Sequence, residues 1–199
     1  EGIAIAERQI SRAACEQFAA RIVEVAEQRG AHRVTLAHKA NVLPLTCGLF
    51  RDTCRQVLAV HGWEAQVDER LVDVAALQLV ESPESFDVLA TTNLFGDILS
   101  DLACHWSGGL GMAPSLNWGQ GIALAEPVHG SAPDIVGTGR ANPIAALLSA
   151  ALLLRYHWQQ PELAARLDAA VEGFLVEAGA VDFADRTTEI IADGVISRL

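Results

Sequence analysis

Three carboxylates in apolar surroundings are the first residues whose types and spacing suggest chemistry. Asp97 and Asp101 stand four positions apart in "NLFGDILSD", so on a helix they lie one above the other. Like charges at that spacing repel, and aspartate is a poor residue for a helix interior. Asp73 sits one element earlier, in the apolar run "LVDVAALQLV". A set of hard oxygen ligands without a nearby Cys or His suits Mg²⁺ or Mn²⁺, and a divalent ion relieves the repulsion. The same spacing also fits two solvated acids on the polar face of an amphipathic helix.

Lys39 follows the buried run "HRVTLA" in "HKANVLP" and has Asn41 beside it. Ligands of open α/β sheets bind outside the carboxyl ends of strands, where Lys39 falls. Beside a cation its amine is a candidate proton carrier; elsewhere it is an ordinary surface lysine. A third feature is "EPVHGSAPDIVGTGRANP". Gly130, Ser131, Ala132, Gly137 and Gly139 let backbone N–H groups approach a phosphate, with His129, Asp134 and Asn142 alongside. Asp134 has the chemistry to accept from a ribose hydroxyl. The glycines equally serve tight turns. There is no Gly-x-Gly-x-x-Gly fingerprint between a strand and a helix, and no Walker A sequence, so a Rossmann or P-loop site is not supported.

The elements that must position these residues alternate. Apolar spacing predicts a helix over 7–29 stopped by Gly30, then a strand over 32–37, a helix over 45–62 and a short strand over 63–68. A helix over 70–82 and a strand over 86–92 follow, delivering Asn93 as the cap of the aspartate helix. After Trp106, "SGGLGMAPSLNWGQG" reads as loop, "IALAEPVHG" as a strand entering a loop, and 143–157 as a long apolar helix with Pro143 in its first turn. Helices over 161–178 and 184–198 complete an α/β layer architecture. We expect a small domain over 1–107 and part of a larger one over 108–199. His105 and His157 read as packing residues; His32, His38 and His61 have no evident partner.

Composition excludes several classes. The 199 residues carry a net charge of −11, with a pI near 4.9, and offer no basic field for nucleic acid. The longest apolar stretch ends in Arg155 and is too short to span a bilayer, so no membrane partner is expected. Four scattered cysteines without a Cys-x-x-Cys pair read as buried or incidental thiols in a reducing compartment. The default is a soluble cytoplasmic protein.

Together, "AHKANVLPLTCGLFRDT", "VDVAALQLVESPESFDVLATTNLFGDILSDL", "GGLGMAPS" and "EPVHGSAPDIVGTGRANPIAALLSAALLL" resemble the β-decarboxylating dehydrogenases that act on isocitrate, 3-isopropylmalate, homoisocitrate and tartrate. The segments run in family order over most of residues 7–160, a more specific signal than any single motif. The resemblance implies the three-layer isocitrate/isopropylmalate dehydrogenase-like fold, which is not a Rossmann fold, with the N-terminal half absent. It implies that Asp73, Asp97 and Asp101 hold Mg²⁺ or Mn²⁺ against the hydroxyl and carboxylate of a 2-hydroxy acid, and that Lys39 helps move the hydroxyl proton.

Family members are dimers or larger homo-oligomers in which Lys39 and Asp73 are lent to the partner's site. His129, Gly130, Ser131 and Ala132 then approach the adenosine and pyrophosphate of NAD, Asn142 the adenine, and Asn41 and Glu126 the nicotinamide end. Asp134 resembles the residue that selects NAD, because a carboxylate repels a 2′-phosphate. The family's substrate arginines and proton-donating tyrosine have no counterpart here, so catalysis is expected to need an N-terminal half, supplied separately if need be. The alternative is a non-catalytic dimerising remnant that binds nucleotide or metal. "KANVLPLTCGLF" and "VLATTNLFGD" lean toward homoisocitrate enzymes. Trp118 stands where relatives commonly carry a smaller aliphatic residue, and residues 180–199 match only loosely.

Overall fold

The computed structural model describes residues 2–178 and 186–199. The chain divides into two units, Glu1–Ala103 and Cys104–Leu199. The first is α/β around a parallel sheet. Its elements are α1 (Arg12–Gln28), β1 (Val34–His38), α2 (Thr46–Val60), β2 (Val67–Leu71), α3 (Val72–Glu81), β3 (Val88–Ala90) and α4 (Asn93–Ala103). The strands run in the order β2-β1-β3, all parallel, with Leu36 opposite Glu69 and Ala90.

Every residue of β1 is buried, as a central parallel strand covered on both faces requires. Val34 and Leu36 face Cys15, Ala19, Ile22 and Ala26 of α1 and Phe50, Cys54 and Leu58 of α2. Ala37, on the opposite face, packs with Ala75 and Leu79 of α3 and Leu99 of α4. The period-2 alternation of one strand thus builds both helical layers.

Three expected boundaries move, each for a local reason. The helix predicted from Glu7 begins at Arg12, because the Ser11 hydroxyl accepts the Ala14 N–H at 3.2 Å and caps it there. The strand predicted over 63–68 is shifted to Val67–Leu71: Glu64–Gln66 form a 3₁₀ turn while Trp63 packs against the α1–α2 core. Arg70 and Leu71, expected in a helix, end that strand instead. Asn93 is the first helical residue of α4 rather than the residue capping it.

The second unit pairs β4 (Pro114–Trp118) antiparallel to β5 (Ala123–Pro127), with α5 (Ile144–Leu152), α6 (Pro161–Ala178) and α7 (Thr188–Ile196) around them. β4 corrects the loop expected over 107–121. Its Pro, Ser and Asn hide a strand that exists because β5 and α5 pack against it. Ser149 of α5 is buried where its hydroxyl accepts the Ser115 N–H and reaches the Glu126 carbonyl. The predicted 143–157 helix holds as far as Leu152 and continues as a π-helical turn, Leu153–His157. There Tyr156 is buried with its ring 5.4 Å from Trp118, so the large residue at 118 fills a packing position. Of the histidines expected to pack, His105 is exposed against Trp106, whereas His157 is half-buried. The predicted start of the last helix at 184 lies outside the described residues; α7 begins at Thr188, capped by the Thr187 hydroxyl.

Two consequences of this packing are measurable. A Cβ added to Gly194 of α7 would stand 2.5 Å from the Phe174 ring of α6. Gly194→Ala is therefore expected to destabilise the fold by about 1–3 kcal/mol, read as a lower urea midpoint at unchanged slope. All four cysteines are buried, and burial pushes the Cys54 thiol up to about 12. Thiolate-selective reagents at neutral pH should label Cys54 only at the rate of unfolding; fast stoichiometric labelling of the native chain would contradict this packing.

Candidate active site

Lys39 lies immediately after β1, at the carboxyl end of the sheet's central strand. Its backbone carbonyl accepts the N–H groups of Val42 and Leu43 at 3.1 and 2.8 Å, closing the turn that carries Asn41. Its ammonium donates to Asp73 Oδ1 at 2.6 Å, across from β1 to the first turn of α3. The Lys39 hydrogen bond, with the helix's own N–H groups, holds the Asp73 carboxyl below the usual carboxylate range. Asp73 is largely exposed, although its apolar sequence context suggested otherwise. Lys39 is also the only lysine among the 199 residues, every other side-chain cation of the Lys/Arg type being arginine. Arginine does not release its proton, so this position keeps the one side chain of that type that can.

Asp97 and Asp101 are exposed on α4, as the four-residue spacing requires, and neither carboxylate has a hydrogen-bond or ion-pair partner among the described residues. The start of α4 is fastened by Arg8, which donates to the Thr92 hydroxyl at 2.7 Å and stacks 5.1 Å over Phe95. Among the described residues, no group of three or more His, Cys, Asp or Glu side chains is placed to hold an ion within one chain. The structure therefore brings Lys39 to Asp73 but leaves Asp97 and Asp101 as a separate pair.

In the second unit a cavity of about 950 Å³ is lined by His129, Gly130, Ser131, Ala132 and Asn142. The N–H groups of Gly130, Ser131 and Ala132 have no partner among the described residues, which suits an anionic or polar ligand. Ala132 holds a left-handed backbone, φ 44 and ψ 61, a strained choice for a residue with a Cβ. His129 Nδ1 lies 2.9 Å from the Gly130 carbonyl. The Asn142 amide is engaged within the chain: its oxygen accepts the Ile144 N–H at 3.0 Å, capping α5, and its nitrogen reaches Met112 Sδ.

Asp134 is exposed in the short turn Pro133–Ile135 and does not itself line the cavity, although Ile135 does. Glu126 lies outside it on β5, accepting from Asn117. Asn41 belongs to the first unit and is exposed in the turn after Lys39. Leu110, Gly111 and Thr187–Glu189 line the cavity as well, and sequence reasoning did not single them out. A signal existed in "TTE", a helix start whose Thr188 hydroxyl and N–H bond to Ala141 and Gly139 of the loop.

Residues 1–195 match the profile of the family described as "Isocitrate/isopropylmalate dehydrogenase". The chain belongs to the isocitrate/isopropylmalate dehydrogenase family. It is 49% identical over 200 residues to an isocitrate/homoisocitrate dehydrogenase of Thermus thermophilus, an alignment covering 99% of this chain and 59% of that protein. It is 50% identical over 153 residues to a homoisocitrate dehydrogenase of Methanocaldococcus jannaschii, covering 77% and 44%. The crystal structure of an isocitrate dehydrogenase from Methylococcus capsulatus superposes with a TM-score of 0.88 at 38% identity, covering 98% of this chain and 58% of that one. The chain thus has the α/β fold of the β-decarboxylating dehydrogenases, as its motifs implied, and its matches cover 44–59% of the length of these relatives. Among the described residues, no helix is long and apolar enough to cross a membrane.

Proposed function

We propose that this chain is part of an NAD-dependent dehydrogenase that oxidises and decarboxylates a 2-hydroxy acid of the homoisocitrate, 3-isopropylmalate or isocitrate type. The observation that carries the reading is the Lys39–Asp73 pair, 2.6 Å apart at the carboxyl end of β1, in a chain of this family. When bound, NAD takes up the hydride and Mg²⁺ or Mn²⁺ polarises the substrate's oxygens. The chain's own residues do the rest. Asp73 holds the Lys39 side chain in place, and Lys39, as the neutral amine left once its own proton has passed to solvent, takes the proton of the 2-hydroxyl. Asp97 and Asp101, with no cationic partner among the described residues, supply hard oxygens for a divalent ion. The free N–H groups of Gly130, Ser131 and Ala132 hold the adenosine and pyrophosphate end of the cofactor, and Asn142 fixes the cavity wall by capping α5. Asn41 and Glu126 are assigned to the nicotinamide end.

The assembly we propose is a dimer in which Lys39 and Asp73 of one protomer meet Asp97 and Asp101 of its partner. Two observations support it. The three carboxylates form no ion site within one chain among the described residues. In addition, α3 and α4 pack on each other while exposing Val74, Leu77, Val80, Leu94 and Ile98, an apolar surface suited to a second copy. The test is NAD reduction with each of the three acids, with and without Mn²⁺, by this chain and by the protein with an N-terminal half supplied. Metal-dependent NADH formation with one acid supports the reading, and none under any combination sinks it.

A further inference from the structure

His38, whose partner the sequence did not reveal, is the last residue of β1 and is 5% exposed. Its ring is held at both nitrogens. Nδ1 accepts the backbone N–H of Ala40 at 3.2 Å, and a nitrogen that accepts carries no proton. The ring hydrogen therefore sits on Nε2, 3.3 Å from Glu69 Oε2 on the neighbouring strand β2. The other oxygen of Glu69 takes Arg55 of α2. Burial alone would raise the Glu69 carboxyl, but the hydrogen bonds from Arg55 and His38 outweigh it and hold it below its ordinary range. Glu69 thus remains an acceptor at neutral pH and keeps His38 in one tautomer.

The output of this chain of contacts is the peptide that follows Lys39. The Ala40 N–H is fixed by His38, and the Lys39 carbonyl is fixed by Val42 and Leu43. A lysine side chain has four flexible carbons and much rotamer freedom to lose, so its ammonium is only as well placed as its backbone. We infer that His38, oriented by Glu69 and Arg55, is a positioning residue that anchors the Lys39 turn through the Ala40 N–H and so delivers the ammonium to Asp73. This rests on the reading of Lys39 as the proton carrier. It adds a residue whose ring touches neither substrate nor cofactor.

The single lysine makes the inference testable on this chain without any turnover. Reductive methylation with ¹³C-formaldehyde labels Lys39 and the terminal amine alone, and the Asp73→Ala variant, which has no side-chain acceptor, defines the resonance of an unpaired Lys39. We expect the wild-type His38 ring to give the two-bond ¹⁵N pattern of the Nε2–H tautomer. His38→Asn keeps a side-chain acceptor two residues before the Ala40 N–H, as in an Asx turn, and should leave the Lys39 resonance near its wild-type position. His38→Leu offers no acceptor and should move that resonance to the Asp73→Ala position. In the NAD-reducing protein, kcat should fall about 10- to 100-fold in His38→Leu, with KM for NAD unchanged and most of the loss restored in His38→Asn.

An Nδ1–H tautomer in the wild type overturns the inference. So does a wild-type Lys39 resonance in a folded His38→Leu chain. If His38→Leu does not fold, the wild-type tautomer and the His38→Asn spectrum still decide. Absence of NAD reduction in the wild type would remove the proposed function while leaving these spectra to judge the anchoring.

Discussion

Replacing Lys39 by Met is expected to lower kcat for NAD reduction about 10²- to 10⁴-fold, the range lost with a general acid–base group, while NAD affinity stays as it was. The physical argument is local. Methionine keeps the length and the apolar stem of lysine but has no proton to exchange, and it removes the side-chain partner that Asp73 has among the described residues. The cavity proposed to hold the cofactor belongs to the other unit and is lined by none of these residues, so binding of NAD there should not respond. Lys39→Arg is the discriminating companion. Arginine retains the charge and can pair with Asp73, but its guanidinium does not give up a proton near neutral pH. If Lys39 only neutralises Asp73, arginine should restore activity; if it carries a proton, arginine should be nearly as inactive as methionine. Steady-state rates for both variants, with cofactor affinity followed by fluorescence, separate the two.

The second large effect concerns cofactor choice. Asp134→Ser is expected to reduce the preference for NAD over NADP by about 10²-fold. A like-charge contact costs several kcal/mol, and each 1.4 kcal/mol is a tenfold ratio. Asp134 is exposed and has no cationic partner among the described residues, so its charge is not neutralised by its own chain. It occupies the same short turn as Ile135, which lines the cavity. Serine still accepts from a hydroxyl but carries no charge. The ratio of kcat/KM for the two cofactors in wild type and variant measures the effect, and an unchanged ratio would place the selecting residue elsewhere.

What was legible in the sequence depended on how local its cause was. The buried strand before Lys39 and the α/β alternation could be read because one strand's period-2 pattern builds both layers. The helix start at Ser11 was missed because the apolar spacing extends beyond the cap, and a hydroxyl rather than the pattern ends the helix. β4 was missed because Pro114, Ser115 and Asn117 carry no strand signature of their own; the partner strand and α5 make it a strand. The roles suggested for Asp97, Asp101 and the "HGSAPD" loop came from motif order, since their types alone fit a solvated helix face and a tight turn. His38 was illegible for a different reason: its partners are Glu69, 31 residues away, and a peptide N–H, and only the register of β1 against β2 brings them together. The uniqueness of Lys39 was in plain view as a count, and it gains meaning once its pairing with Asp73 is known.

In the proposed dimer, the metal and proton-transfer residues of one site come from two copies of this chain. Subunit complementation tests it most directly. Asp73→Asn and Asp97→Asn, each made in the NAD-reducing protein, should each be inactive alone. In a mixed dimer, one of the two sites receives an intact Asp73 and Lys39 from the Asp97→Asn protomer and an intact Asp97 and Asp101 from the Asp73→Asn protomer. The account predicts that co-refolding the two variants restores metal-dependent NADH formation. Mixed dimers that form, as shown by distinguishable affinity tags, yet stay as inactive as either parent would contradict it.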